Sequence, residues 1–382
     1  MNERKISVLI VDDSIIIRGI IGRILNEAEG FEVVGTAIDG QSAIRITEEL
    51  KPDFITLDIN MPRKTGLEVL PDLLRVSPKT KIIIASSMTT KNASVSMKAL
   101  ELGASECLHM PDAKNPEELK RFSRELVNCL IALSGENPML LSEKEKPKEP
   151  QKLNEILTDN QVHRAIYEER KAQSKQAISN FNIVKPNNNK LNALAIASST
   201  GGPHALAELF KQLNGNIPNV PIFITQHMPP AFTMILANNI ALASGTVCKE
   251  GVNDEIVKNK HIYIAPGDYH MTAVKNGDDV VIKVNQDAME NYCRPSADPM
   301  MRSLVKIYGG NMMLVVLTGM GHDGLEGAKE LHALGGHIVA QDKESSVVWG
   351  MPKAVAEAGI ANAILPLDKI AQHIIHNFNA NF

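Results

Sequence analysis

The sequence predicts an α/β protein of two domains, each a doubly wound sheet of mainly parallel strands, and three observations carry that expectation. Short apolar runs alternate with helix-like stretches on both sides of the chain's midpoint. Many of those runs end in a residue able to do chemistry, as happens at the carboxyl edge of a parallel sheet. Between the two halves the composition changes abruptly to charged, proline-punctuated text. The expected boundaries are 1–134 for the first domain, 135–190 for a linker and 191–382 for the second.

The first strand is Ile6-Ser7-Val8-Leu9-Ile10-Val11, which ends in Asp12-Asp13-Ser14. Two carboxylates at one strand end repel each other unless a positive charge sits between them. A hard divalent cation such as Mg²⁺, with water and phosphate as its remaining ligands, relieves that repulsion. A third acid closes the next suitable run, Asp53-Phe54-Ile55-Thr56-Leu57-Asp58, before the breaker Ile59-Asn60-Met61-Pro62. The run Lys81-Ile82-Ile83-Ile84-Ala85-Ser86 ends in hydroxyls. Helical text between these runs predicts a parallel sheet with the acids gathered at its carboxyl edge. Taken singly, each aspartate reads equally well as a helix cap or a solvated loop residue.

The linker opens with Gly135-Glu136-Asn137-Pro138 and continues through Glu143 to Pro150, where lysine and glutamate alternate between prolines. Within Lys152–Ala177 the apolar residues Leu153, Ile156, Leu157, Val162, Ala165 and Ile166 are spaced for one amphipathic helix. A breaker cluster, Lys185-Pro186-Asn187-Asn188-Asn189-Lys190, precedes the second domain.

Three segments of that domain supply a nucleophile, a base and an orienting acid. Ala193-Leu194-Ala195-Ile196-Ala197 reads as a strand, and the turn after it carries Ser199 and Thr200 ahead of Gly201-Gly202-Pro203 and a helix start. Glycines let the chain turn sharply, and a helix N-terminus favours negative charge, so an oxyanion can be held near Ser199. A serine needs a base, and the base needs an acid to orient it. His227 follows the strand-like Pro221-Ile222-Phe223-Ile224-Thr225, and Asp323 follows the run Met312–Leu317. Each segment alone reads as a cap or turn. The text around Ser199 also lacks the Gly-x-Ser-x-Gly elbow of the α/β-hydrolases. His322, beside Asp323, is a second imidazole able to compete for the carboxylate.

Composition bounds the function. The chain has 382 residues, 44% hydrophobic and 22% charged, with a net charge of -4 and no long basic block. Neither a nucleic acid nor an anionic membrane surface is an expected partner. Cys107, Cys129, Cys248 and Cys293 are scattered without metal-ligand spacing, as reduced thiols would be. No run reaches membrane-spanning length, and the opening apolar run is too short for a signal segment, so membrane insertion is not expected and a cytoplasmic location is.

The three segments, together with Tyr263–Met271, Arg294-Pro295-Ser296-Ala297-Asp298 and Trp349–Val355, resemble the chemotaxis protein-glutamate methylesterases, the CheB family, over essentially all of 191–382. The resemblance implies a three-layer α/β/α methylesterase domain with Ser199 as nucleophile, His227 as general base and Asp323 as its orienting acid. Thr200 and the backbone amide of Met320 would lie near the oxyanion, with no cofactor in this domain. It further implies hydrolysis of γ-glutamyl methyl esters on methyl-accepting chemoreceptors and deamidation of receptor glutamines. Tyr263–Met271 and Arg294–Asp298 would line the cleft. Residues 5 to about 130 resemble the receiver domain of response regulators, a flavodoxin-like doubly wound sheet. That implies an acidic pair at Asp12 and Asp13, phosphorylation of Asp58 by a chemotaxis histidine kinase, and Ser86 as the switch hydroxyl. Mg²⁺ would be held by Asp13, Asp58 and the carbonyl of Asn60. Met110 stands where receivers carry a lysine before proline, and a thioether cannot replace that charge. Two other outcomes follow if these parts fail to act: an esterase active without a phosphoswitch, or a non-catalytic receptor-binding module or phosphate sink.

Overall fold

The computed structural model describes residues 4–86, 90–111, 115–135, 184 and 190–379. Nearly all of the expected linker, including the helix anticipated within Lys152–Ala177, lies outside the described residues, as does the side chain of Ser86.

The first domain is a five-stranded sheet in the order β2-β1-β3-β4-β5: β1 (Ile6–Val11), β2 (Phe31–Ala37), β3 (Phe54–Asp58), β4 (Lys81–Ser86) and β5 (Glu106–His109). Every pairing is parallel. Five helices connect the strands: α1 (Ile15–Glu27), α2 (Gly40–Leu50), α3 (Gly66–Val76), α4 (Thr90–Glu101) and α5 (Pro116–Ser134). Their starts are written in the sequence. Ser14, Asp39 and Asn115 cap α1, α2 and α5, and Thr65 with Glu68 forms a capping box on α3. The strand order reverses direction between β1 and β3, which are neighbours with Val11 beside Leu57. Asp12 and Asp58, the next residue of each strand, therefore emerge side by side.

The main sheet of the second domain has seven strands, all parallel, in the order β14-β13-β12-β6-β7-β9-β8. They are β6 (Ala193–Ser198), β7 (Ile222–Gln226), β8 (Cys248–Glu250), β9 (Ile262–Ile264), β12 (Met312–Val316), β13 (His337–Gln341) and β14 (Ala363–Leu365). Alternation decides which way each side chain faces. Leu194, Ile196, Ile222 and Ile224 pack with α6 (Gly202–Gln212), α7 (Phe232–Ser244) and α11 (Leu367–Asn379). Ala193, Ala195, Ala197 and Phe223 pack on the other face with α8 (Ala297–Tyr308), α9 (Leu325–Ala333) and α10 (Met351–Glu357). Burial on both faces gives the three layers and explains why these strands read as unbroken apolar runs.

An antiparallel hairpin, β10 (His270–Asn276) and β11 (Asp279–Asn285), stands apart from the main sheet and packs on α8. The sequence reading missed it, although Asn276-Gly277 is a strong hairpin signal. Tyr263 was expected in the cleft, but it is fully buried in β9, and its hydroxyl accepts a hydrogen bond from the Lys258 amide. It is a core residue.

The two domains touch. Helix α4 packs on α6 and α7, and Asn239 Nδ2 donates to Glu101 Oε1 at 3.1 Å. Met97 and Leu100 of α4 belong to the same apolar cluster as Leu206, Phe210 and Leu236. Val348, from the loop before α10, joins the receiver-side cluster of Met110, Phe122 and Leu126. At the edge of this contact Glu106 lies against Thr200; burial raises the Glu106 pKa and the Thr200 hydroxyl partly offsets the rise.

Candidate active site

Ser199, His227 and Asp323 follow the ends of β6, β7 and β12, which are adjacent in the sheet. Backbone bonds lock their turns together: His227 N donates to Ser198 O (3.1 Å), and Ser199 N donates to Thr318 O (3.0 Å). Gln226 Nε2 reaches back to the carbonyls of Ser199 (2.9 Å) and His227 (3.1 Å), while its Oε1 accepts from Ser198 Oγ (2.7 Å). A Cβ at Gly202 would sit 1.9 Å from that Oε1, so the first residue of α6 must be glycine for the turn to close. Gly319 is required as well, because its Cβ would lie 2.8 Å from that of Ser199.

His227 Nε2 and Asp323 Oδ2 are 2.6 Å apart. Asp323 is 2% exposed, yet its charge is well supplied with donors. Oδ1 accepts from Ser296 Oγ (2.7 Å), Asn291 Nδ2 (2.8 Å), Gly324 N (3.0 Å) and Asp298 N (3.2 Å), and Oδ2 also accepts from Ala297 N (2.6 Å). The amides of Ala297 and Asp298 open α8, so a helix N-terminus points at this carboxylate. Burial alone would raise the Asp323 pKa. The hydrogen bond and charge of His227, with the Ala297 amide and the Ser296 hydroxyl, override burial and hold it well below the usual carboxylate range. At His227 burial disfavours the charged ring, but Cys293 and Asp323, by charge and hydrogen bonding, push its pKa up to about 10. Asn291 also donates to Asp298 Oδ2 at 2.9 Å.

The other expected residues fall as follows. Thr200 is buried beside Ser199 with its carbonyl accepting from Thr318 Oγ1 (2.9 Å). Met320 is partly exposed in the loop that Gly319 presses against Ser199. Ser199 Oγ forms no hydrogen bond among the described residues. His322 is exposed and makes none of the hydrogen bonds to Asp323. The sequence reading did not give Ser296, Asn291 or Cys293 a role at the triad. Ser296 had a usable signal, a cap-type serine directly before a helix start; Cys293 had none.

In the receiver, carboxylate oxygens of Asp12, Asp13 and Asp58 lie within 4.8 Å of one another. Burial first, then the charges of Asp58 and Asp13, raises the Asp12 pKa to about 6, although the Ser14 amide donates to its Oδ1 at 2.7 Å. Asp58 is also raised, chiefly by burial, against amide hydrogen bonds from Asn60 and Ile59. Asn60 itself is exposed. Three carboxylates crowded this closely suit a hard cation with oxygen ligands.

Fold and site together define a two-domain α/β chain, one half bringing Ser199, His227 and Asp323 to neighbouring strand ends and the other crowding three aspartates at its sheet edge. Residues 194–374 match the CheB methylesterase family, and residues 8–120 match the response regulator receiver domain. The protein-glutamate methylesterase/protein-glutamine glutaminase 1 of Rhodospirillum rubrum is 40% identical over 98% of this chain and 95% of its own length. The protein-glutamate methylesterase/protein-glutamine glutaminase of Azospirillum brasilense is 40% identical over 97% and 92%. The catalytic domain of Thermotoga maritima CheB methylesterase shares 39% identity over 49% of this chain and 98% of its own, with a TM-score of 0.47. The chain belongs to the CheB methylesterase family, in the form that carries an N-terminal receiver.

Proposed function

We propose that this chain removes methyl esters from glutamyl side chains of methyl-accepting chemoreceptors, and deamidates receptor glutamines, with Ser199 as nucleophile. The observation that carries this reading is His227 braced at 2.6 Å by a six-donor Asp323, one strand away from a serine at a helix start. Ser199 attacks the ester carbonyl and His227 accepts its proton. The carbonyl oxygen gathers negative charge beside Thr200, the Met320 amide and the first turn of α6. Methanol leaves with the proton returned by His227, and water resolves the glutamyl ester by the same route. An amide passes through the same tetrahedral intermediate and releases ammonia. Asp323 does not titrate during the cycle; it keeps the imidazole oriented and stabilises its charged form.

The receiver gates this site. Asp13, Asp58 and the Asn60 carbonyl would hold Mg²⁺, which would offset charge on a phosphoryl group passed to Asp58 by a histidine kinase. Ser86 would supply the switch hydroxyl. Glu106 against Thr200 and Val348 in the receiver cluster support a receiver docked beside the cleft at Thr200. Met110 lies in that same cluster, so the residue standing in for the usual lysine supports the docked state through packing. Methanol release from a methylated chemoreceptor, with and without a small phosphodonor and Mg²⁺, tests both parts. Ser199→Ala should abolish release, and the donor should raise it in the unaltered protein. Release that survives Ser199→Ala overturns the nucleophile, and release indifferent to the donor overturns the gate.

A further inference from the structure

Both ring nitrogens of His227 are engaged. Nε2 meets Asp323 Oδ2 at 2.6 Å, and Nδ1 meets Cys293 Sγ at 3.4 Å, hydrogen-bond range for sulfur. The nitrogen facing the orienting carboxylate carries a proton for it, so the nitrogen able to accept one from a hydroxyl is Nδ1. A thiol holds that nitrogen here.

Cys293 reaches it from a stretch built for placement. Its amide donates to Glu290 O at 2.9 Å, and Asn291 and Ser296 on either side donate to Asp323 Oδ1. Asn291 (φ 53°) and Tyr292 (φ 61°) both adopt the left-handed region, which side chains with a Cβ avoid unless their surroundings compel it. One segment, 290–298, thus fixes the imidazole at both ends. Cys129 and Cys248 are buried and Cys107 lies in the receiver; Cys293 is the cysteine that contacts a triad residue.

Building on the triad reading above, we propose that Cys293 is a positioning residue for the general base: its sulfur hydrogen-bonds His227 Nδ1 and holds the ring in line with Asp323 until the Ser199 hydroxyl takes that nitrogen. The proton between sulfur and Nδ1 belongs to the pair. With that proton on sulfur, the thiol donates to Nδ1 and the ring is neutral, able to accept the serine proton once the hydroxyl takes that place. A serine at 293 keeps a donor toward Nδ1, whereas alanine leaves that side of the ring unsupported. An adduct on the sulfur occupies the approach of the Ser199 oxygen.

The test uses the full chain. Cys293→Ala should lower kcat for methanol release by about fivefold, the kinetic equivalent of one neutral hydrogen bond, with KM unchanged. Cys293→Ser should restore most of it. In the unaltered protein treated with iodoacetamide, release should fall in step with carbamidomethylation of the Cys293 peptide measured by mass spectrometry, and Cys293→Ser should resist. Labelling of Cys293 should slow in His227→Gln and persist in Ser199→Ala. An unchanged kcat in Cys293→Ala, a Cys293→Ser variant as impaired as the alanine, or full release from protein labelled at Cys293 would each overturn the proposal. The labelling arm stands even if Cys293→Ala fails to fold. Failure of the triad reading looks different: Ser199→Ala would then keep releasing methanol, whatever is found at Cys293.

Discussion

Aspartates at the ends of parallel strands appear in both halves of the molecule, buried to similar depth, and their proton affinities are displaced in opposite directions. Asp12 is 4% exposed and Asp323 is 2% exposed. The pKa of Asp12 rises to about 6, because burial is joined by the charges of Asp58 and Asp13. That of Asp323 falls, because His227, the α8 amides and Ser296 supply more than burial takes away. Burial sets the size of the problem, and the neighbours set its sign. The receiver cluster is left short of positive charge, as suits a site that takes its cation from solution. Asp323 carries its compensation within the fold, and so stays ionised without help from solution.

The comparison breaks most visibly if the self-sufficient site is dismantled. Asp323→Asn keeps the shape but gives His227 the wrong hydrogen-bond partner, and methanol release should fall by about 10³-fold or more. A variant retaining near-normal release would mean that His227 is oriented by something else.

A second buried pair extends the contrast to groups that must stay neutral. His337 Nε2 lies 2.9 Å from His373 Nε2, and burial together with the His373 charge lowers the His337 pKa to about 4. That value lies below the 6.5 of an ordinary histidine, so between them the unfolded chain binds more protons than the folded one. Stability should therefore be intact above pH about 6.5 and decline as pH falls toward 4, by up to about 3 kcal/mol. Denaturant titrations of the native chain and His337→Gln across that range measure it; equal slopes in the two proteins would refute the assignment.

The receiver side is sharpened by removing one repelling charge. Asp12→Asn should raise stability at pH 7 without divalent cation by up to about 2 kcal/mol and shrink the extra melting temperature that Mg²⁺ confers. A variant less stable in chelator would mean that the buried, crowded Asp12 carboxylate is not a net cost to the fold. The smallest effect belongs to a single donor. Ser296→Ala removes one of six from Asp323 and should cost about 1 kcal/mol in chemical unfolding, with the remaining five keeping the carboxylate ionised.

The parallel strands were legible because a strand buried on both faces cannot hide its apolar run; the helix caps at Ser14, Asp39 and Thr65 carried a signal that the sequence reading did not use. Ser199, His227 and Asp323 were legible from resemblance and from their places after such runs. What escaped was whatever depends on contact between distant segments. Nothing near Cys293 in the sequence says that it faces a histidine 66 residues away. Tyr263 reads as a cleft residue until its whole side chain is found beneath Phe223 and the hairpin. The Arg294–Asp298 segment was singled out as cleft lining, but not as a source of donors to Asp323; two of those donors, the Ala297 and Asp298 amides, have no letter in the sequence.

One apolar cluster runs from Leu70 and Met97 in the receiver into Leu206 and Leu236 beyond it, so the two halves share a buried seam. Calorimetry of the resting protein should show a single endotherm. Whatever parts the two halves must uncover that shared seam, so activation would be read first as the splitting of one heat peak into two.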